Sequence, residues 1–226
     1  MTTRWPGVRT ALEAEGGALL EALEPLPHEA FERPTRLGAW TVRDLGGHLW
    51  RGLHRVIEGL GSPPPARIDV DAVTYWRAYD PTATGPDIAE RAREVARRYP
   101  DAAALVADLR RVLDEVVEAC RNTPDERPVP TWGPVMRLDE LLATRVLELA
   151  VHGLDLADAL GREPWLTPGA ASITRGILVR LLGAEPPAVQ AMSDVVFFEL
   201  ATGRRRPGRA IRMRLGALAD RLPLLA

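Results

Sequence analysis

The sequence predicts a mainly α protein: a four-helix bundle over residues 1–161, followed by a small C-terminal α(+β) lobe over 162–226. Three observations support this class. Apolar residues recur at helical spacing in four segments of bundle length. One long connection divides these segments into two pairs, as in bundles that contain a crossover. The segment 138–160 is apolar nearly all round, which is typical of a buried helix.

The predicted bundle helices have recognisable ends. The first stops at a proline-containing loop, and the second begins at Thr41, where Asp44 completes an approximate capping box. The second helix ends at Gly61 and the fourth at Gly161, a residue type common just after helix C-termini. A further helix, 87–98, precedes the third. In chain order, the bundle helices are predicted over 9–23, 41–61, 101–120 and 138–160.

The connection 62–87 is long for a compact domain, and such segments are usually functional or disordered. It carries Tyr75, Trp76 and Tyr79, which argue against disorder. We therefore expect this connection to form a lid or a pocket wall.

The C-terminal lobe is predicted to contain two helices, 168–182 and 188–201. Near its end, Ile211, Met213 and Leu215 alternate with arginines. This period of two favours one short strand.

A polar stripe runs along the otherwise apolar helix 138–160. At about 100° per residue, Arg145, Glu148, His152 and Asp155 fall on one side. Because buried charges are normally paired or bound to a metal, this stripe is a candidate site. Glu148 and His152 are one turn apart, which suits two ligands of one ion and equally a hydrogen bond on one helix face.

The second predicted helix supplies another inward-facing ligand. His48 lies on its apolar stripe, whereas His54 points to the opposite side. Gly46, Gly47 and Gly52 each cost roughly 1 kcal/mol relative to alanine in a helix. These glycines indicate that another backbone, or a ligand, comes close to the helix near His48.

Together, His48, Glu148 and His152 match the three-ligand pattern of catalytic zinc, which leaves one position for water or substrate. Asp155 is placed to orient His152, and Arg145 to pair with Glu148, as supporting partners of metal ligands do. For His48 alone, a structural hydrogen bond of a core histidine is the alternative interpretation.

Composition and motifs argue against several other classes. The formal charge of −2 shows no overall excess of basic residues of the kind that is typical of nucleic-acid-binding proteins. The single cysteine, Cys120, excludes an intramolecular disulfide and is expected to pack in the core. No apolar run spans a bilayer and the first residues lack a signal-peptide core, so we expect a cytoplasmic protein without membrane contacts. The paired Glu-x-x-His motifs of di-iron bundles, the His-Glu-x-x-His protease motif and glycine-rich phosphate loops are absent.

Two segments resemble a known family. WTVRDLGGHL, residues 40–49, and RVLELAVHGLDLADALG, residues 145–161, are similar to the mycothiol-dependent maleylpyruvate isomerase family, within the DinB-like superfamily of metal-binding four-helix bundles. The resemblance implies a divalent metal, usually zinc, held by His48, Glu148 and His152. It also implies a low-molecular-weight thiol cofactor, mycothiol or bacillithiol, whose sulfur approaches the metal.

The activity that this resemblance implies is thiol chemistry on an electrophilic small molecule. A thiol bound to a metal loses its proton and becomes a nucleophile at neutral pH. Addition to a cis-enedioate, rotation and elimination would make a cis–trans isomerase, and addition without elimination an S-transferase. Such substrates carry carboxylates, so Arg77 in the connection and Arg204 in the lobe are candidate substrate-binding residues. The alternative for the arginines of the lobe is a solvated basic tail.

A second class of function stays open. The chain could be a non-catalytic DinB-like protein that binds metal structurally, or a stress-response or interaction partner, and loss of metal binding would favour that class. A nucleic-acid contact through the arginine-rich end is disfavoured because no aromatic residues are interleaved there. Bundles of this superfamily are often dimers, so the resemblance also allows a homodimer.

Overall fold

A computed structural model describes residues 5–225 of the chain. Helices dominate it, which confirms the predicted mainly α class. The first residues of the predicted bundle, 1–4, and the last residue of the lobe, Ala226, lie outside the described part. In chain order, the elements are α1 (Val8–Leu23), α2 (His28–Phe31), α3 (Val42–Gly61), α4 (Ala72–Arg77), α5 (Pro81–Arg97), α6 (Ala102–Arg121), β1 (Pro128–Pro130), β2 (Val135–Arg137), α7 (Leu138–Leu160), α8 (Pro168–Leu182), α9 (Pro187–Gln190), α10 (Asp194–Ala201), α11 (Arg209–Leu215) and a 3-10 helix (Gly216–Arg221).

Helices α1, α3, α6 and α7 form the bundle. Each packs against two of the others, in the cyclic order α1, α7, α3, α6. Their observed ends agree with the predicted ends to within one residue, because the signals that end a helix are local. Thr41 accepts from the backbone N–H of Asp44 at 3.1 Å, and the Asp44 carboxylate accepts from the N–H of Thr41 at 3.0 Å. Gly161 ends α7 in the left-handed conformation, with φ 63°.

The glycines of α3 permit close approach on two sides. A Cβ atom at Gly47 would overlap the carbonyl oxygen of Ala92, where the backbone of α5 crosses α3. At Gly52 it would lie 3.1 Å from Nη1 of Arg145 on α7. The predicted close approach near His48 is therefore confirmed, and it involves both a backbone and a charged side chain.

The connection between α3 and α6 is more regular than predicted. It contains α4, and α5 begins at Pro81, six residues earlier than the predicted start. Two aspartates cap these helices: Asp71 accepts from the N–H of Thr74 at 2.7 Å, and Asp80 from the N–H of Thr82 at 2.9 Å. Two capped helices thus occupy about half of the expected loop.

Two other segments between the predicted bundle helices also contain short elements. The four-residue helix α2 lies between α1 and α3. Between α6 and α7, β1 and β2 form an antiparallel hairpin in which buried Val129 stands opposite buried Met136. Three-residue strands are too short to show a period in the sequence, and the buried contacts with the bundle define them instead.

The C-terminal lobe differs from the prediction in two places. The predicted helix 188–201 is broken into α9 and α10, and Ser193 caps α10 with its side chain. The predicted strand through Ile211, Met213 and Leu215 is wrong, because these residues form α11. A helix places Ile211 and Leu215 on one side, with Leu215 buried, and leaves Met213 75% exposed. A strand here would also need a partner strand, and among the described residues β1 and β2 pair only with each other.

Helix α8 packs against both α1 and α7, and its buried residues join the same hydrophobic core as the bundle. The division at residue 161 therefore stays a prediction about domains. Among the helices that the structure describes, none is both long and apolar enough to cross a membrane.

Candidate metal centre

The three predicted ligands come together between α3 and α7. His48 projects from α3, and Glu148 and His152 project from successive turns of α7, so that one potential ligand atom from each lies within 4.8 Å of the others. Nε2 of His48 is 2.8 Å from Oε2 of Glu148, and Nε2 of His152 is 3.2 Å from the same oxygen. Their side chains are only 14–17% exposed. Both imidazoles thus direct Nε2 toward one carboxylate.

Asp155, one turn beyond His152, fixes the orientation of that histidine. Oδ2 of Asp155 is 2.9 Å from Nδ1 of His152. An ionised carboxylate only accepts hydrogen bonds, so the Nδ1 atom carries the proton and donates it. Asp155 is completely buried and also accepts from Arg36 and Arg204, at 2.7 and 2.8 Å. Burial acts to raise the pKa of Asp155, but His152 and Arg204 outweigh it and hold that pKa well below its ordinary value.

The two histidines of the centre titrate in opposite directions. Burial lowers the pKa of His48 and outweighs the attraction of the Glu148 carboxylate. Burial also disfavours charge on His152, but hydrogen bonds with Asp155 and Glu148 outweigh it and raise the pKa. Burial would raise the pKa of Glu148, but the two histidines hold it well below the ordinary value. Protonation of the centre is thus favoured at His152, opposite Glu148, and disfavoured at His48.

The donor chemistry of this centre fits a divalent metal. Two imidazoles and one carboxylate form the ligand set of many catalytic zinc sites. Nδ1 of His152 is occupied by Asp155, which leaves Nε2 as the atom that binds once its proton is lost. Within residues 5–225, no other group of three His, Cys, Asp or Glu side chains has this proximity. Metal binding at this centre must displace a proton.

A cavity of about 720 Å³ opens beside the three ligands, which all line it. This volume lies within the range of about 300–1,000 Å³ that is common for small-molecule sites. The aromatic residues Tyr75, Trp76 and Tyr79 line it, so the predicted lid or pocket wall is a pocket wall. Trp40 also lines it, with its ring 5.4 Å from that of His48. The candidate metal centre therefore has space for a ligand against a wall that includes several aromatic side chains.

The three arginines predicted to contribute to the site lie in different surroundings. Arg145 lines the cavity, but its guanidinium has no carboxylate oxygen within 4.0 Å in the described part of the chain, so the expected pair with Glu148 is not formed. Arg204 lines the cavity with its Nε and Nη2 atoms donating to Asp155 and Nη1 donating to the carbonyl of Thr202. Arg77 is exposed and lies outside the cavity lining.

Sequence patterns do not single out Arg36, which the structure places next to the centre. It donates to Asp155 and also to Glu199 on α10, at 2.7 and 2.8 Å. These partners are 119 and 163 positions away in the chain. No local motif could mark a residue in a loop whose partners are this remote.

Comparisons with known proteins agree with this geometry. Two uncharacterized proteins from strains of Mycobacterium tuberculosis, MT0041 and Rv0036c, are each 29% identical to the chain over 157 residues, which is 66% of the chain and 55% of each relative. The chain spans about half the length of these curated relatives. No solved structure matches it. A profile of the mycothiol maleylpyruvate isomerase N-terminal domain matches residues 12–157, which include all three candidate ligands. The chain belongs to this family.

Proposed function

We propose that the chain is a metal-dependent enzyme that uses a low-molecular-weight thiol, as an S-transferase or as a cis–trans isomerase. The observation that carries this proposal is the convergence of His48, Glu148 and His152 at a cavity of small-molecule size. Zinc is the expected metal because of the ligand types. The family description names mycothiol, which makes it the first thiol to test, with bacillithiol as the alternative.

The residues of the chain have distinct roles in this proposal. His48, Glu148 and His152 hold the metal, which when bound supplies a Lewis acid that lowers the pKa of a thiol. Asp155 keeps the proton of His152 on Nδ1 and so presents Nε2 to the centre. The aromatic wall limits water around the reacting groups, which strengthens electrostatic interactions there.

Transfer and isomerisation place the same demand on this site: a thiol must be held beside an electrophilic small molecule. The cavity volume is sufficient for both components to share one space. The cytoplasmic location that we expect from the sequence belongs to the same proposal.

The first test measures metal content by mass spectrometry on protein purified without added metal or a histidine tag. We expect about one metal per chain, and none in the His48→Ala, His152→Ala double variant. Metal-loaded protein is then assayed with mycothiol and monochlorobimane for transfer, and with maleylpyruvate for isomerisation.

The matched control is His54→Ala, because His54 lies on α3 outside the cavity lining and stacks on Trp50. This variant is expected to keep both metal and activity. Metal binding without either reaction would favour the non-catalytic alternative. Equal metal content in wild type and double variant, after dialysis against zinc, would remove the proposal altogether.

A further inference from the structure

Arg145 is a buried cation without an anionic partner. The residue is 5% exposed, and its Nε donates to Oγ1 of Thr144 at 3.2 Å. Among residues 5–225, no carboxylate oxygen lies within 4.0 Å of its guanidinium, and neither of its Nη atoms donates a hydrogen bond to the protein. An unpaired buried charge is costly. The Nη atoms of Arg145, which lines the cavity, are therefore available to an anion from outside the chain.

The fold holds this guanidinium at the candidate site. Nη1 of Arg145 lies 3.1 Å from the position that a Cβ atom of Gly52 would occupy, so a glycine on α3 provides its space. Arg145 lines the large cavity and also the narrow gap between α3 and α7 beside His48 and Glu148. An anion that meets Arg145 therefore lies close to the candidate metal ligands.

Arg51 adds a second cation to the wall of the cavity. It too has no carboxylate oxygen within 4.0 Å in the described residues, and its guanidinium carbon lies 5.0 Å from the ring centre of Trp132. Burial lowers the pKa of Arg51, and the positive charge of Arg91 lowers it further. The described cavity lining contains five arginines and a single acidic residue, Glu148, which is already engaged by two histidines. Three of these arginines lie within 4.0 Å of carboxylates outside the lining, which leaves Arg145 and Arg51 available to an anion.

We propose that this cavity binds an organic carboxylate, with Arg145 as its principal partner and Arg51 as the second cation. A planar guanidinium matches a carboxylate in two parallel hydrogen bonds. The aromatic wall favours a carboxylate on an apolar body over an inorganic anion. That the carboxylate belongs to the substrate rests on the proposed function. The binding itself involves Arg145 and Arg51 and does not require Arg77 or Arg204.

The test compares benzoate with benzamide, two probes that share a ring and differ in charge. Each is titrated calorimetrically into the full chain, as purified and after removal of metal with EDTA. In both forms we expect benzoate to bind at least about tenfold more tightly than benzamide. The Arg145→Met variant is expected to lose this preference and to bind benzamide as wild type does. Arg121→Met, which removes an exposed arginine of α6, is the matched control and should keep the preference.

A second variant leaves the arginine in place. In Gly52→Ala, the added methyl group would lie 3.1 Å from Nη1 of Arg145, so the guanidinium must shift by a few tenths of an ångström, while alanine favours the helix. We expect a loss of benzoate affinity of about threefold or more, with benzamide affinity unchanged.

The melting temperature distinguishes a binding role of Arg145 from a purely structural one. If Arg145 were purely structural, Arg145→Met would have a lower Tm than wild type. We expect a Tm at or above that of wild type, because an unpaired buried charge is removed.

The proposal is overturned if wild type does not discriminate between the probes, or if Arg145→Met and Gly52→Ala both keep the preference. It is also overturned if the preference disappears with the metal, since benzoate would then be a ligand of the ion. Because benzoate binding to the metal-free chain needs neither metal nor thiol, its failure and the failure of the proposed function are separate results.

Discussion

Helix α3 meets a partly buried carboxylate on each of two opposite sides. His48 contacts Glu148 of α7 at 2.8 Å, and Trp50, about 200° further round the helix, donates its indole N–H to Asp108 of α6 at 2.6 Å. Both carboxylates have lowered pKa values although burial acts to raise them. Burial and a lowered pKa are therefore common to the two regions and do not mark a metal site by themselves.

The two regions differ in whether the side chains around the carboxylate can lose a proton and bind a metal. Asp108 accepts from Trp50, from the Tyr99 hydroxyl and from Arg111, each at 2.6 Å, and none of these donors can readily give up its proton and bind a metal. Glu148 faces two imidazoles, whose Nε2 atoms become metal ligands when deprotonated. The side chains around Glu148 also line a cavity, whereas Asp108 lines none of the described cavities. Partner chemistry, rather than burial, distinguishes a metal centre from a structural cluster.

The largest expected effect is on metal content. Glu148→Gln should reduce bound zinc from about one per chain to none, because the amide does not replace the anionic ligand. Asp108→Asn, the same change in the other region, should leave metal content unchanged. Mass spectrometry after dialysis against zinc measures both variants. Equal loss of metal in the two variants would contradict the assignment of the metal to the Glu148 region alone.

The second prediction concerns the carboxylate that orients His152. Asp155→Asn should weaken zinc binding by about 10- to 100-fold, since outer partners of a ligand typically contribute this much. Glu199→Gln is the matched control: it removes the other partner of Arg36 without touching His152. Competition with a zinc chelator gives both affinities. Similar losses in the two variants would assign the effect to Arg36 instead of to Asp155.

Acid should weaken metal binding at the Glu148 centre. The pKa of His152 is raised, so this histidine must lose a proton to bind metal once the pH lies below that raised value. We expect zinc affinity to fall by about tenfold for each pH unit below it, as for competition with one proton. Chelator competition across a pH series measures this slope. An affinity independent of pH in that range would contradict the assignment of His152 as a ligand.

The smallest effect is on stability and belongs to the Asp108 region. Asp108→Asn should lower the free energy of unfolding by about 1.5–3 kcal/mol at neutral pH, the range for a hydrogen bond to a charged group. The folded-state pKa of Asp108 is about 2, below the value of about 3.9 in an unfolded chain. This contribution is therefore present above about pH 4 and lost as the pH falls toward 2.

Urea unfolding of wild type and Asp108→Asn at several pH values tests this prediction. The difference between the two proteins should shrink as the pH falls from about 4 to 2. A difference that stays constant through this interval would assign the loss to packing and not to the charge of Asp108.

Local signals in the sequence were sufficient for much of the fold. The bundle helices α1, α3, α6 and α7 end within one residue of their predicted ends, because their periodicity and caps involve neighbouring residues. The strand predicted through Ile211, Met213 and Leu215 was wrong because an alternating pattern over five residues does not say whether a pairing edge is present. The two short strands between α6 and α7 pair with each other, and β1 also packs against α3, which lies far away in the chain.

The sequence by itself determined that Glu148, His152 and Asp155 share one face of a helix, since helical spacing alone places them there. It also marked His48 as inward-facing. Only the tertiary structure decided which side chains surround that face. It joined Arg36 and Arg204 to Asp155 and left Arg145 unpaired against Gly52. The physical reason is that helix periodicity is a property of neighbouring residues, whereas partners for buried charges depend on which helices pack together.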